Sequence, residues 1–323
     1  MADKKQSFYF LAILGFAALY FVFGFLYALD KRDTSNVLYE IFRSKVHAAD
    51  QAEGDTRILL VGGSNTVWGS RSQIIENETG IPTFNLALTH EAYEPQAMRT
   101  LALSAVRPGD IVLYSSISFW NARNTDPAAA AALLRTAGLD YEECSPICAL
   151  KRTLARYWSP YPQKKTLVTS IPKLYRRYIG HEPSVHMAGL NDKGDLASCT
   201  NPGTGGPNAY AAPAEQESFL QTMTDFEHAL HIRGASLILA FPPSLVPPDQ
   251  REQWIRDYTP LFQAMQRRFV MALPSLESSL YTDPSQFCDS GFHLADDEAA
   301  QRSHVVGQFL RKIKDESPHR KGI

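Results

Sequence analysis

Apolar and polar residues alternate along this chain in blocks that define its elements. From Phe8 to Leu29 the sequence FYFLAILGFAALYFVFGFLYAL runs 22 residues without a charge. As a helix it would extend about 33 Å, enough to cross a bilayer. Residues 34–50 (with VLYEIFRSKVHAA) have a helical pattern and are expected to form a stalk. Arg57-Ile58-Leu59-Leu60-Val61 is then a continuous apolar run closed by glycines, as in a strand buried on both faces. Behind it come a helix with Ile74 and Ile75 as its apolar positions, a strand over 82–88, a helix over 94–106, and a strand Ile111-Val112-Leu113-Tyr114. Strand and helix alternating at this spacing predict a parallel sheet with crossover helices, an α/β fold.

The rhythm breaks between 121 and 213. An Ala-rich helix near 127–137, a basic helical stretch from Lys164 to Arg177 and a Gly/Pro/Asn-rich loop from Asn191 to Pro213 read together as an insertion. Alternation then resumes with a helix over 214–233, a strand over 236–241, a helix over 249–269, a short strand over 270–273 and a last helix over about 296–313. The expected organisation is a tail and anchor over 1–33, a stalk or linker over 34–56, one domain over 57–315 carrying the insertion, and a polar tail over 316–323.

The apolar run of 8–29 is too long for a cleavable signal and lacks a small-x-small site after it, so an uncleaved signal-anchor is expected. Lys4 and Lys5 precede it, Asp30, Lys31, Arg32 and Asp33 follow, and Tyr9 and Tyr27 lie near its ends. A short basic N-terminus followed at once by a single span favours export of the remainder. An even cysteine count suits an oxidising compartment: Cys144, Cys148, Cys199 and Cys288 allow three full pairings, of which Cys144 with Cys148 is the most local. The balance of 32 Lys+Arg against 34 Asp+Glu supplies no field for a phosphate backbone, so nucleic acid is not an expected partner.

In open parallel sheets, sites form at the carboxyl ends of strands. The first strand ends in Gly62-Gly63-Ser64-Asn65, where two glycines permit a sharp turn that presents the serine. Neither a dinucleotide fingerprint nor a phosphate loop follows, the glycine a nucleophile elbow requires is Thr66, and no cofactor is expected. Near the C-terminus, Asp289 and His293 lie on one short loop before the last helix. A serine needs a base, and an imidazole needs a carboxylate to set its tautomer. Turn formation by Asp289 and helix capping by His293 or Asp296 are the structural alternatives. A metal at Cys288 and His293 is the weakest, because no second ligand cluster accompanies them.

Taken together, Ser64 and the Asp289/His293 loop make residues 57–310 resemble the SGNH (GDSL-like) hydrolase superfamily, the insertion excepted. The resemblance implies a three-layer, flavodoxin-like sheet and a Ser64–His293–Asp289 triad. The family's second block, Asn-x-Gly-x-x-Gly, aligns with Asn85-Leu86-Ala87-Leu88-Thr89-His90, both glycines being replaced. The third block, Gly-x-Asn-Asp, is replaced by the segment from Ser115 to Asn121. Oxyanion donors are then expected from the backbone of His90 and from Ser118 or Asn121. Asn65, Trp68, Tyr93 and Trp120 are the candidates for substrate contact.

One branch is similar in layout: exported, anchored SGNH proteins that work with a multispanning membrane-bound O-acyltransferase on cell-surface polysaccharides. What this likeness implies is a periplasmic O-acyltransferase with a polysaccharide acceptor, an acyl-Ser64 intermediate and the membrane as its site of action. A carbohydrate esterase with the same triad, and a non-catalytic SGNH scaffold that binds polysaccharide, are the alternatives.

Overall fold

The computed structural model describes residues 14–15, 38–88, 95–116, 119, 133–139, 190–196, 199, 202–208, 213 and 216–316. The expected span over 8–29 lies outside these residues apart from Leu14 and Gly15. Among the described residues no helix is long and apolar enough to cross a membrane.

Five strands form one sheet: β1 (Ile58–Gly62), β2 (Thr83–Asn85), β3 (Ile111–Ser115), β4 (Ser236–Leu239) and β6 (Val270–Met271), in the order β2-β1-β3-β4-β6. Every pairing in it is parallel, with Ile58 opposite both Thr83 and Ile111, and Gly62 opposite Ser115. All five residues of β1 and all five of β3 are buried, which is why they read as unbroken apolar runs.

The period of two along each strand divides the core. Leu59, Val61, Val112, Tyr114, Leu237 and Leu239 pack on one face of the sheet with α1 (residues 38–50), α4 (Pro95–Ala105), α5 (Gln216–Ile232) and α6 (Arg251–Arg268). Ile58, Leu60, Ile111, Leu113 and Ile238 pack on the other with Ile75 of α3 (Ser72–Thr79) and Val306 and Leu310 of α7 (Asp296–Glu316). The protein is therefore a three-layer α/β structure. A second sheet of two parallel strands, β5 (Ser244–Leu245) and β7 (Leu280–Tyr281), lies beside the segment that carries Asp289 and His293.

Residues 34–50 were expected to form a stalk leading to the domain. Instead Leu38, Ile41, Phe42 and Ala49 are buried in the main core, so α1 is a helix of the domain itself. Beneath the sheet, at the amino ends of β1 and β3, Arg57 donates to Asp110 over 3.0 and 2.7 Å and to Asp50 over 2.8 Å. Of the insertion, only 133–139, 190–196, 199, 202–208 and 213 belong to the described residues. Within it Leu133 and Leu134 are fully buried, as an apolar helix face there requires. The basic stretch from Lys164 to Arg177 and Cys144 and Cys148 fall outside the description.

Candidate active site

β1 lies between β2 and β3, so the chain leaves it in one direction and returns on its other side. A strand order that reverses in this way opens a crevice at the carboxyl ends of β1 and β3. Ser64 stands there. It is the first residue of α2 (Ser64–Gly69), directly after the extended Gly63.

The turn is held from three sides. A side chain on Gly62 would put its Cβ 2.0 Å from the carbonyl oxygen of Ser115 and 2.2 Å from Oγ1 of Thr66, so the close approach of β1 to β3 requires glycine. Thr66 Oγ1 donates to the same Ser115 oxygen at 2.9 Å. Asn85, at the end of β2, donates from Nδ2 to the carbonyl of Thr66 at 3.2 Å. Asn65, expected at the substrate surface, is only 1% exposed, and its Nδ2 is turned toward Ser115. Its role in the structure is to hold the turn, while Ser64 itself remains partly exposed.

Asn65 Oδ1 and Arg302 Nη1 are both buried without a protein partner, and both residues line one cavity below the turn.

Asp289 and His293 occupy a loop closed on itself. Phe287 and Leu294 form an antiparallel bridge, Cys288 N–H donates to the carbonyl of His293 at 2.7 Å, and His293 N–H donates to that of Ser290 at 3.2 Å. Inside this loop His293 Nδ1 lies 2.6 Å from Asp289 Oδ1, with the histidine side chain 14% exposed and the aspartate 52%. With Nδ1 engaged by a carboxylate, proton transfer to and from a substrate falls to Nε2.

Trp68 links the loop to the serine turn. Four residues beyond Ser64, it lies on the same side of α2. Its indole stacks on the His293 imidazole with centroids 5.3 Å apart and 15° between the planes. Thus Trp68, a candidate for substrate contact, packs on the histidine.

A segment that the sequence offered only as a Gly/Pro/Asn-rich loop with one candidate disulfide cysteine braces the loop from outside. Cys199 is disulfide-bonded to Cys288. Gly203 and Gly205 donate their N–H groups to the carbonyls of Phe287 and Cys288 at 2.7 and 2.8 Å, and Asn208 Nδ2 donates to that of Gly291 at 2.8 Å. In the sequence Gly205-Gly206-Pro207-Asn208 was visible only as part of a loop; a Cβ at Gly205 would lie 2.8 Å from the backbone of Ser290. Arg71 completes the frame, donating to the carbonyls of Trp68 and Ser70 at 3.0 and 3.1 Å and to Asp296 at 2.7 Å.

At the end of β2, the α1 lysine Lys45 donates from Nζ to the carbonyl of Ala87 at 2.6 Å. Burial lowers its pKa to about 7, against the opposing pull of Asp195. Asp195, 1% exposed, accepts from the Ser72 N–H and hydroxyl at 2.7 and 2.8 Å and from Asn85 Nδ2 at 3.1 Å. His90, Tyr93, Ser118, Trp120 and Asn121 lie outside the described residues. Among those described, no cluster of His, Cys, Asp and Glu is arranged to hold a metal.

No protein-family model matches this chain, and no curated protein matches it.

Proposed function

We propose that the chain is a membrane-anchored, periplasmic SGNH-type serine O-acyltransferase that passes an acyl group, acetyl in the simplest case, to a cell-surface polysaccharide. The observation that carries this reading is the coupling of the Ser64 helix to the Asp289–His293 pair through Trp68. The β2-β1-β3-β4-β6 order, with Ser64 at its switch point, supports the SGNH-like assignment.

In this mechanism Ser64 Oγ attacks the carbonyl carbon of an acyl donor while His293 Nε2 takes the hydroxyl proton. Asp289 stabilises the imidazolium through Nδ1–H. The tetrahedral intermediate collapses as the bond to the donor oxygen breaks and the leaving group receives the proton from Nε2. Acyl-Ser64 is then attacked by a sugar hydroxyl, whose proton passes to Nε2 and on to the departing Ser64 oxygen. Backbone N–H groups of the segment containing His90, with Ser118 or Asn121, would serve the oxyanion. The span over 8–29 would tether the domain beside a multispanning donor protein and raise its effective concentration there.

The competing reading is a carbohydrate esterase, favoured by the half-exposed Asp289, which shows that water reaches this loop. An activated acetyl ester separates both enzymatic readings from a non-catalytic polysaccharide-binding scaffold. The full chain is expected to gain the mass of one acyl group on Ser64, and Ser64→Ala to gain none. Equal labelling of Ser64→Ala would overturn the mechanism. Product analysis with an acceptor oligosaccharide distinguishes transfer, which yields acylated sugar, from hydrolysis, which yields only free acid.

A further inference from the structure

We propose that Trp68 is a positioning residue for His293, fixing the plane of the imidazole and stabilising its cationic form. The inference rests on the acyl-transfer reading of Ser64, Asp289 and His293, and adds to it a fourth side chain that acts through the histidine.

Three observations converge on it. First, the ring geometry is that of an offset stack: 5.3 Å between centroids and 15° between planes. Second, Trp68 is only partly buried and belongs to none of the three apolar core clusters, so filling the core does not account for an indole at this position. Third, its backbone is itself held, by the Arg71 guanidinium on the Trp68 carbonyl and by the Arg71–Asp296 ion pair at 2.7 Å. A tryptophan whose main chain is anchored in this way to the start of α7 has its ring held at a fixed place against the loop.

The electrostatics act in the same direction. When the Ser64 proton arrives at Nε2 the imidazole becomes a cation, and the face of an indole is the negative part of its quadrupole. Asp289 meets the ring in its plane at Nδ1 and Trp68 meets it from above, so the two stabilise the cation without competing for the same edge. Among the described residues, the other charges on the surrounding elements are Arg71, its partner Asp296, Asp297 and Glu298 in the first turn of α7, and buried Arg302 further along that helix. None of these would change in a Trp68 variant.

The experiment compares the full chain with Trp68→Leu and Trp68→Phe. The Hε1 proton of His293, assigned by its absence from His293→Gln, is followed by NMR through a pH titration, and Ser64 acylation by an activated acetyl ester is measured across the same range. In Trp68→Leu the upfield ring-current displacement of Hε1 is expected to vanish. Its titration midpoint and the acid limb of the acylation profile should move together to lower pH by about half a unit. The plateau rate should fall about three- to tenfold. Trp68→Phe, which keeps a ring on the imidazole, should restore most of each effect, and Trp68→Met, which also removes the ring, replaces Trp68→Leu if that variant does not fold.

An unchanged Hε1 position and acid limb, or a lower rate that phenylalanine does not restore, would overturn the proposal while leaving Ser64 acylation in place. If Ser64→Ala is acylated as well as the parent, the transfer reading fails, and the role of Trp68 in catalysis fails with it, whatever the NMR titration shows.

Discussion

Cys199 and Cys288, 89 residues apart, are joined by a disulfide whose second cysteine directly precedes Asp289. The carboxylate that orients His293 is thus one residue from a covalent tie to a segment of the insertion. Closing a loop of this length stabilises a fold by roughly 2–5 kcal/mol. Cys199→Ser should therefore lower the urea midpoint, and acylation of Ser64 should fall further than the folded fraction does. A variant with the parent's midpoint and rate would show that the bridge neither stabilises the domain nor steadies the loop.

Adjacent glycines provide a matched test of the same brace. A Cβ at Gly205 would lie 2.8 Å from the backbone N and C of Ser290, whereas at Gly206 it would meet nothing within 4 Å. Gly205→Ala must push the Asp289–His293 loop outward and should cost on the order of 1–3 kcal/mol together with most of the acylation rate. Gly206→Ala should be close to neutral in both. Thermal melts and single-turnover acylation of the pair decide it, and equal effects would contradict the packing described.

Lys45 makes stability depend on pH in a calculable direction. Its ordinary value is 10.5 and burial lowers it to about 7 in the folded chain. Below about 7 both states hold the proton, and the native state bears the full cost of a buried ammonium. As pH rises from about 7 toward 10.5 the native state sheds a proton that the unfolded chain keeps, and this cost is relieved. Lys45→Met should accordingly gain most over the parent near pH 6, with the gap narrowing by about pH 10. Urea titrations at both ends measure it; a gap that widens with pH would show that Lys45 is not the titrating group.

At the opposite end of the sheet the Arg57–Asp110 pair is 2% and 1% exposed. Asp110→Ala leaves that guanidinium buried with the exposed Asp50 as its charged partner and the Ala105 carbonyl as its other acceptor, and should cost about 3–5 kcal/mol. Replacing both partners by apolar residues, as in Arg57→Met with Asp110→Leu, should recover much of the loss. Because the pair lies at the amino ends of the strands, acylation per folded molecule should stay at the parent level. Double-mutant unfolding curves test the energetics and active-site titration tests the last point.

Much of the scaffold was legible before any coordinates. Ile58-Leu59-Leu60-Val61 and Ile111-Val112-Leu113-Tyr114 read as central strands, since a strand covered on both faces is apolar at every position, and both are fully buried strands of the main sheet. The pairing of Asp289 with His293 was legible because four residues on one loop leave the two groups few ways to be far apart. Strand ends were less so: β4 stops at Leu239 although Ala240 and Phe241 continue the apolar run, because burial outlasts ladder pairing there.

What the sequence alone determined, then, was local: the approximate places of the main-sheet strands and of the longer helices between them, that this sheet is parallel, and that Asp289 and His293 share one loop, whereas α2 and the β5–β7 sheet were not read from it. Hydrophobic period and turn chemistry act over a few residues and are written in order along the chain. Only the tertiary structure decided that α1 is packed in the core, that Cys199 meets Cys288, that Asn65 turns inward and that Trp68 covers His293. An amphipathic helix has the same pattern whether its apolar stripe meets its own domain or another surface, and a cysteine or an indole carries no record of its partner. Those choices are made when distant segments compete for the same buried space, and the competition is settled by shape and close packing.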